Sequence, residues 1–295
     1  MPDKIRAYLL APAYYVVALT LAVFIIANAN DASRAYESVS ARETVSAKTD
    51  RALREALETL SLGLYGGASA LTEQLADALD VAHFHESRAT GMGWLLLGLS
   101  AAFLAAVVAG EERGQRLGSA AIIRHLFGIS AVFLLVGLLA PILTVVAHEE
   151  IALLGRVVLQ YESKGIITTI HKLYLVKSYF LATLLLLFSV LLPVLKILFS
   201  MVALELEHSR ARRASVILIK VIGRWSMTDV FLVAVLLAFL TADTSQLTDA
   251  SLGPGLYFFA GYGLLSIAAG QMMIGYESQK GENRKGDRSI FPEGK

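Results

Sequence analysis

Apolar residues in this chain come in blocks, without the alternation of a half-buried strand or the one-sided stripe of a soluble helix. Six blocks stand out, at about 7–27, 92–110, 128–147, 178–204, 226–242 and 254–275. A bilayer core about 30 Å thick needs roughly 20 apolar helical residues, so each block predicts a membrane-spanning helix. The fifth is the shortest, and the preceding VILIKVIG lengthens it. The first block has a basic start at Lys4 and Arg6, and Ala27-Asn28-Ala29 fits a signal-cleavage pattern. Its apolar stretch exceeds the roughly 7–15 residues of a signal core, so it is expected to stay as an anchor.

The polar stretches divide the chain. Residues 1–112 read as two spans flanking a soluble insert, 29–90. In the insert Val45, Leu53, Ala56, Leu57, Leu60 and Leu64 fall on one helical face. Asp50 with Arg54 and Arg51 with Glu55 are i,i+4 pairs on the wet side. Gly63, Gly66 and Gly67 break that helix, and Leu71, Leu75, Leu79 and Ala82 restart it, which predicts an antiparallel helical hairpin. Residues 113–276 read as a four-span module, and 277–295 as a polar tail whose composition predicts disorder. The segment 148–177 is too apolar for a plain linker. A short helix near 148–158 is expected there, followed by a small strand pair or a surface helix.

Composition agrees with this picture and removes several functions. The chain has 295 residues, 56% of them hydrophobic, and a mean hydropathy of +0.60. A formal net charge of +1 argues against nucleic acid or another polyanionic partner. With no cysteine there is no disulfide, thiolate zinc site, Fe–S cluster or cysteine nucleophile. No phosphate-binding loop, serine-hydrolase elbow or H-E-x-x-H motif occurs, so no enzyme activity and no cofactor are expected. His83, His85 and His148 lack a third ligand at useful spacing, so no metal is expected. The short, strongly basic segments (Lys4 and Arg6; Arg113, Arg116 and Arg124; Arg210 to Arg224; Lys280 to Lys295) all fall on one side of the spans. The positive-inside rule then places both termini in the cytoplasm. The segment 148–177, with Arg156, Lys164, Lys172 and Lys177, is the exception. The expected fold is therefore all-α: a polytopic membrane protein with six transmembrane helices, N-in/C-in, carrying an extracytoplasmic helical hairpin.

One residue contradicts the apolar pattern. Lys196 lies inside the fourth block, eight residues before the block ends at Leu204, which is about 12 Å along a helix. A lysine at mid-bilayer costs roughly 2.5–3.5 kcal/mol on insertion scales. A partner, a wet cavity or an extended reach to the headgroups must offset that cost. Asp229 stands in the first turns of the fifth span. It is either a helix-terminal carboxylate, with Ser226 as N-cap, or the partner of Lys196 from a facing antiparallel helix. Ser189, seven residues before Lys196, shares its helix face. Thr183, Thr241, Ser266 and Gln271 are further polar residues that together would line a track. Pro193, like Pro141, interrupts a span and either opens a cavity or only shapes the packing. Trp94 and Trp225 at span edges fit the aromatic belt.

The sequence LLPVLKILF, then GRWSMTDVFLVA about thirty residues on, then GPGLYFFAGYGLLSIAAGQ, resembles the paraquat-inducible protein A family over roughly residues 128–275. The resemblance does not extend to 1–112. It implies a multi-pass protein of the bacterial inner (cytoplasmic) membrane that passes phospholipid to or from a periplasmic MCE-domain tunnel protein. It also implies that the family's lysine and aspartate correspond to Lys196 and Asp229, with Ser189, Pro193, Ser226 and Thr241 as the remaining polar-core candidates. Family members commonly carry cysteine-rich zinc ribbons and two tandem modules. This chain has no cysteine and one module, which implies either a homodimer or an N-terminal hairpin standing in for the missing half. The rival expectation is a non-transporting sensor or assembly scaffold with a periplasmic helical input domain.

Overall fold

The computed structural model of the protein describes residues 2–42, 67–112, 119–151, 155–205 and 248–290. The described chain is mostly helical. It opens with α1 (Pro2–Arg42) and α2 (Gly67–Glu112), followed by α3 (Ser119–Leu139). Strands β1 (Leu143–Ile151) and β2 (Gly155–Lys164) come next, then the short helix α4 (Ile166–Leu175) and the long helix α5 (Tyr179–Glu205). Strand β3 (Thr248–Leu252) leads into α6 (Pro254–Ile290). Among the described residues, five helices are long and apolar enough to cross a membrane: α1, α2, α3, α5 and α6. The span expected at 226–242 lies outside the described residues, as does the helix expected over 45–64.

α1 and α2 run antiparallel and are joined along their length. The buried face of α1 is a stripe of small residues, Ala18, Ala22, Ala29 and Ala32, around Ile25, while Val16, Val23 and Phe24 are exposed. Small residues facing inward and branched apolar ones outward is how membrane helices pack, because close backbone approach replaces a hydrophobic driving force. Polar bonds fix the register. The hydroxyls of Tyr14 and Ser100 are 2.8 Å apart, and His85 Nδ1 meets Asn28 Oδ1 at 2.9 Å. The Tyr36 hydroxyl donates to Glu86 at 2.7 Å and lies 3.1 Å from His83 Nδ1. Both histidines of α2 therefore reach α1. No group of three or more candidate metal ligands occurs among the described residues. α2 begins at Gly67, the last of the three glycines that break the helical pattern.

The all-α expectation needs correction, because the chain contains a three-stranded antiparallel sheet in the order β2-β1-β3. Its cause is Pro141. Proline offers no N–H to extend α3 and disfavours helical backbone at the residue before it, so the helix stops at Leu139 and the chain leaves in extended form. Residues 143–147, expected to end the third span, start β1 instead. The expected helix near 148–158 is likewise replaced. β1 pairs with β2 from Leu143↔Lys164 to Ile151↔Gly155, with a bulge between Ala147 and His148. On its other edge β1 takes β3, from Leu143↔Leu252 to Ala147↔Thr248. Both forms expected after 158 are present: β2 runs to Lys164 as one of a strand pair with β1, and a short helix follows as α4. α6 continues to Ile290, into the tail whose composition predicts disorder. Once nucleated by an apolar span, a helix extends at little cost.

α3 is the hub of the module. A β-carbon at Gly137 would sit 2.8 Å from the Phe259 backbone, so only glycine allows α3 and α6 to cross this closely. Just beyond, the Gly253-Pro254-Gly255 sequence closes the sheet onto the end of α3. Gly253 N–H donates to the Ile142 carbonyl and Gly255 N–H to the Pro141 carbonyl, both at 2.9 Å, while Ile142 N–H donates to the Lys164 carbonyl at 2.9 Å. The backbone groups freed at Pro141 are thus satisfied by chain from two distant segments.

Candidate functional site

α5 positions the lysine. Its buried residues include Ser189, Pro193, Lys196, Ser200 and Ala203, spaced by four, three, four and three residues, which is one face of a helix. Its other faces carry Leu191, Val194, Leu198 and Val202, all exposed. The usual pattern of a soluble helix is inverted: apart from Ile197, the buried face is polar or small, and branched apolar residues lie outside. Lys196 is 3% exposed and Leu198, two residues on, is 54% exposed. A lysine reaching for the headgroups along the lipid face would be exposed like Leu198, whereas Lys196 is enclosed by protein.

Local geometry above the lysine follows from Pro193. Within α5 the five residues Leu187–Leu191 form a π turn, and Leu192 N–H bonds to the Leu187 carbonyl five residues back. Proline cannot donate to the carbonyl four residues before it, which here is Ser189, and its ring collides with that carbonyl in a regular helix. Widening the turn removes the collision and re-phases the helix by one residue. π turns of this kind are concentrated at functional sites. Ser189 sits inside the turn and is buried.

An ion pair fixes the depth of the site. Arg124 of α3 and Glu205 of α5 are 2.9 Å apart. Lys196 precedes Glu205 by nine residues, so it lies about 13 Å from that pair, at the level of Phe133 on the antiparallel α3. Phe133 packs on α6, where a β-carbon at Gly261 would lie 2.9 Å from its ring. The neighbouring Tyr262 is buried. One turn closer to the ion pair, Ser200 of α5 and Ser266 of α6 are fully buried. A buried helix hydroxyl can bond back to its own helix, as Ser130 does to the Phe127 carbonyl and Ser100 to the Leu96 carbonyl. The hydroxyls of Ser200 and Ser266 find no acceptor or donor among the described residues.

The structure therefore brings Lys196, Ser189 and Pro193 onto one buried face. Asp229, Ser226 and Thr241 lie outside the described residues. Thr183 and Gln271 are exposed, and Ser266 is buried. Ser200 was legible, since it stands four residues after Lys196 and so shares its face. Tyr262 carried no sequence signal beyond its place in an apolar run. Chemically, a lysine ammonium in a low-dielectric interior, with hydroxyls within a turn, is a site for an anionic group, either a carboxylate from the chain or a phosphate oxygen.

A cavity of about 350 Å³ lies elsewhere, at the sheet end of the bundle. α1 and α2 form one wall with Ala32 and Gly93, and the start of α6 forms the other with Tyr257 and Phe258. Trp94, which the sequence places in an aromatic belt, stands at its mouth.

No curated protein and no solved structure matches the chain. The family model of paraquat-inducible protein A matches residues 130–274, from the middle of α3 through the membrane span of α6. α1 and α2 lie outside the match. The chain is thus a membrane protein whose residues 130–274 form a domain of the paraquat-inducible protein A family.

Proposed function

We propose that this protein is the inner-membrane component of an intermembrane lipid transport system, passing phospholipid between the membrane and a periplasmic MCE-domain tunnel. The observation that carries this reading is Lys196, a cation enclosed by protein in the middle of a membrane helix of the family domain. Ionisable groups retained at such depth mark substrate or ion pathways. A role in packing alone is a poor account, since an apolar residue of similar volume is as good or better there.

On this reading both termini are cytoplasmic and the sheet, α4 and the ends of α1 and α2 face the periplasm, where they meet the partner. The ammonium of Lys196 holds a lipid phosphate in passage, or alternates between phosphate and Asp229 on the fifth span. α1 and α2 stand in for the missing second family domain, or a homodimer completes the path. Transfer of a fluorescent phospholipid from liposomes containing the protein to the purified MCE-domain partner tests the proposal. Wild type is expected to transfer lipid, and Lys196→Ala to insert normally but transfer at least tenfold more slowly. Transfer by Lys196→Ala at the wild-type rate would remove Lys196 from the path.

A further inference from the structure

We infer that the cavity between the N-terminal helix pair and the family domain is a binding site for one phospholipid with a cationic amine headgroup, an aminophospholipid of the outer leaflet. This deepens the transport reading and rests on it for orientation, since that reading places the sheet end outside.

The cavity is graded along the membrane normal. At its outer end are Tyr36 and Glu86, joined by a hydrogen bond of 2.7 Å. At its inner end are Leu97 and Phe258, over a floor of alanine and glycine. From Glu86 to Leu97 is eleven residues of α2, about 16 Å. A polar mouth over an apolar floor, both aligned with the bilayer, is the profile of an outer-leaflet lipid and not of a water-soluble solute. The volume of about 350 Å³ is that of a small-molecule site, enough for the headgroup and the first part of the chains, the rest of which run through the opening into the bilayer. Trp94 and Tyr257 are exposed beside the opening. Both are residue types that settle at the headgroup boundary, so the opening faces the lipid at that level.

Charge selects the headgroup. Glu86 is the one charged residue lining the cavity, and no lysine or arginine lines it among the described residues. On α2, His83 Nδ1 lies 3.8 Å from the Glu86 carboxylate on the side away from the apolar floor, and the guanidinium of Arg88 lies over the Phe84 ring at 4.9 Å. A carboxylate over an apolar pocket repels a purely anionic headgroup and attracts an ammonium, while the aromatic face of Tyr36, bonded to Glu86, adds to that attraction. The small residues of the floor keep the cavity open. A β-carbon at Gly93 would stand 3.5 Å from Phe258, so alanine fits there and anything larger fills the space.

The test is native mass spectrometry of the full-length protein equilibrated with equal amounts of phosphatidylethanolamine and phosphatidylglycerol of identical chains. Wild type is expected to retain one lipid, phosphatidylethanolamine, by about fivefold, the ratio a partly exposed ion pair provides. Glu86→Gln is expected to bring that ratio to about one. Gly93→Leu is expected to lose the retained lipid, and Gly93→Ala to keep it. A phosphatidylethanolamine carrying a photoreactive chain supplies a readout on wild type alone and should label α2 around Gly93 and α6 around Phe258. Equal retention of both lipids by wild type, unchanged retention in Gly93→Leu, or labelling confined to other helices would overturn the inference. None of these outcomes depends on lipid transfer, so a failed transport reading is distinguished from a failed site.

Discussion

Arg124 of α3 and Glu205 of α5 meet at 2.9 Å. That contact sets the register of the two antiparallel helices and with it the depth of everything on the inner face of α5. Both side chains are substantially exposed, so the pair contributes no more than about 1 kcal/mol. Arg124→Glu is expected to lower the thermal unfolding midpoint in detergent by no more than a few degrees. The exchange Arg124→Glu with Glu205→Arg is expected to restore it. An additive loss in the double variant would mean that the two residues do not face each other.

Lys196 gives a sharper expectation, because a buried charge behaves differently from a surface one. Removing one member of a buried ion pair strands the other and costs about 3–5 kcal/mol, whereas replacing both by apolar or neutral groups is close to neutral. With Asp229 as the proposed partner, Lys196→Met alone should destabilise by that amount. Adding Asp229→Asn should recover most of the loss without recovering lipid transfer. A coupling of less than about 0.5 kcal/mol in this double-mutant cycle, measured by unfolding, would separate the two residues.

Much of this architecture was legible because a bilayer imposes it. Length and hydropathy alone locate α1, α2, α3, α5 and α6, since a span needs little more than enough apolar residues. The stripe through Ser189, Lys196 and Ser200 follows from helical spacing. The sheet was hidden for two reasons. Leu143 to Ala147 continues the apolar run of α3, and only Pro141 marks the change. β3 pairs with β1 across roughly a hundred residues of chain, and no local pattern encodes that partnership. The cavity was hidden for a third reason. Its floor is made of alanine and glycine from two helices and its wall of aromatics from a third, so no single segment carries its signature. Gly-Pro-Gly is visible in the sequence, but its bonds to the Pro141-Ile142 carbonyls emerge only when both segments are in place.

Pro193 makes a prediction of opposite sign for stability and function. The π turn at Leu187–Leu191 exists because Pro193 cannot bond the Ser189 carbonyl. Pro193→Ala supplies the missing donor and lets the helix become regular, which is expected to raise stability by about 1–3 kcal/mol. A regular helix also shifts the phase of the residues before the turn, Tyr179–Leu186, relative to Lys196 by about one residue, or roughly 100°. Lipid transfer should therefore fall although the protein unfolds at a higher temperature. A variant that is both more stable and fully active would show the π turn to be incidental.

Gly137 should be intolerant for a different reason. The atoms that a β-carbon would meet belong to the backbone of Phe259, which cannot swing aside. Gly137→Ala is expected to destabilise by about 1–3 kcal/mol through overpacking of α3 against α6. Gly98 on α2 has open space where its β-carbon would be, and Gly98→Ala is expected to be neutral or slightly stabilising. Equal midpoints for the two variants would contradict the close crossing of α3 and α6.

Lys177 holds a position that glycine would fill better. It follows α4 with φ of 62°, and its N–H bonds to the Tyr174 carbonyl while that of Ser178 bonds to the Leu173 carbonyl. These two bonds are those of a Schellman cap, whose left-handed residue is usually glycine because a β-carbon crowds the following carbonyl there. Lys177→Gly is expected to stabilise by about 1 kcal/mol, the relieved strain exceeding the extra chain entropy that glycine brings to the unfolded state. Lys177→Val, β-branched and poorly suited to positive φ, should lose at least as much. Ranking the three proteins by unfolding midpoint checks the geometry directly. The order glycine, lysine, valine is expected, and valine above lysine would show that the turn is not left-handed at this residue.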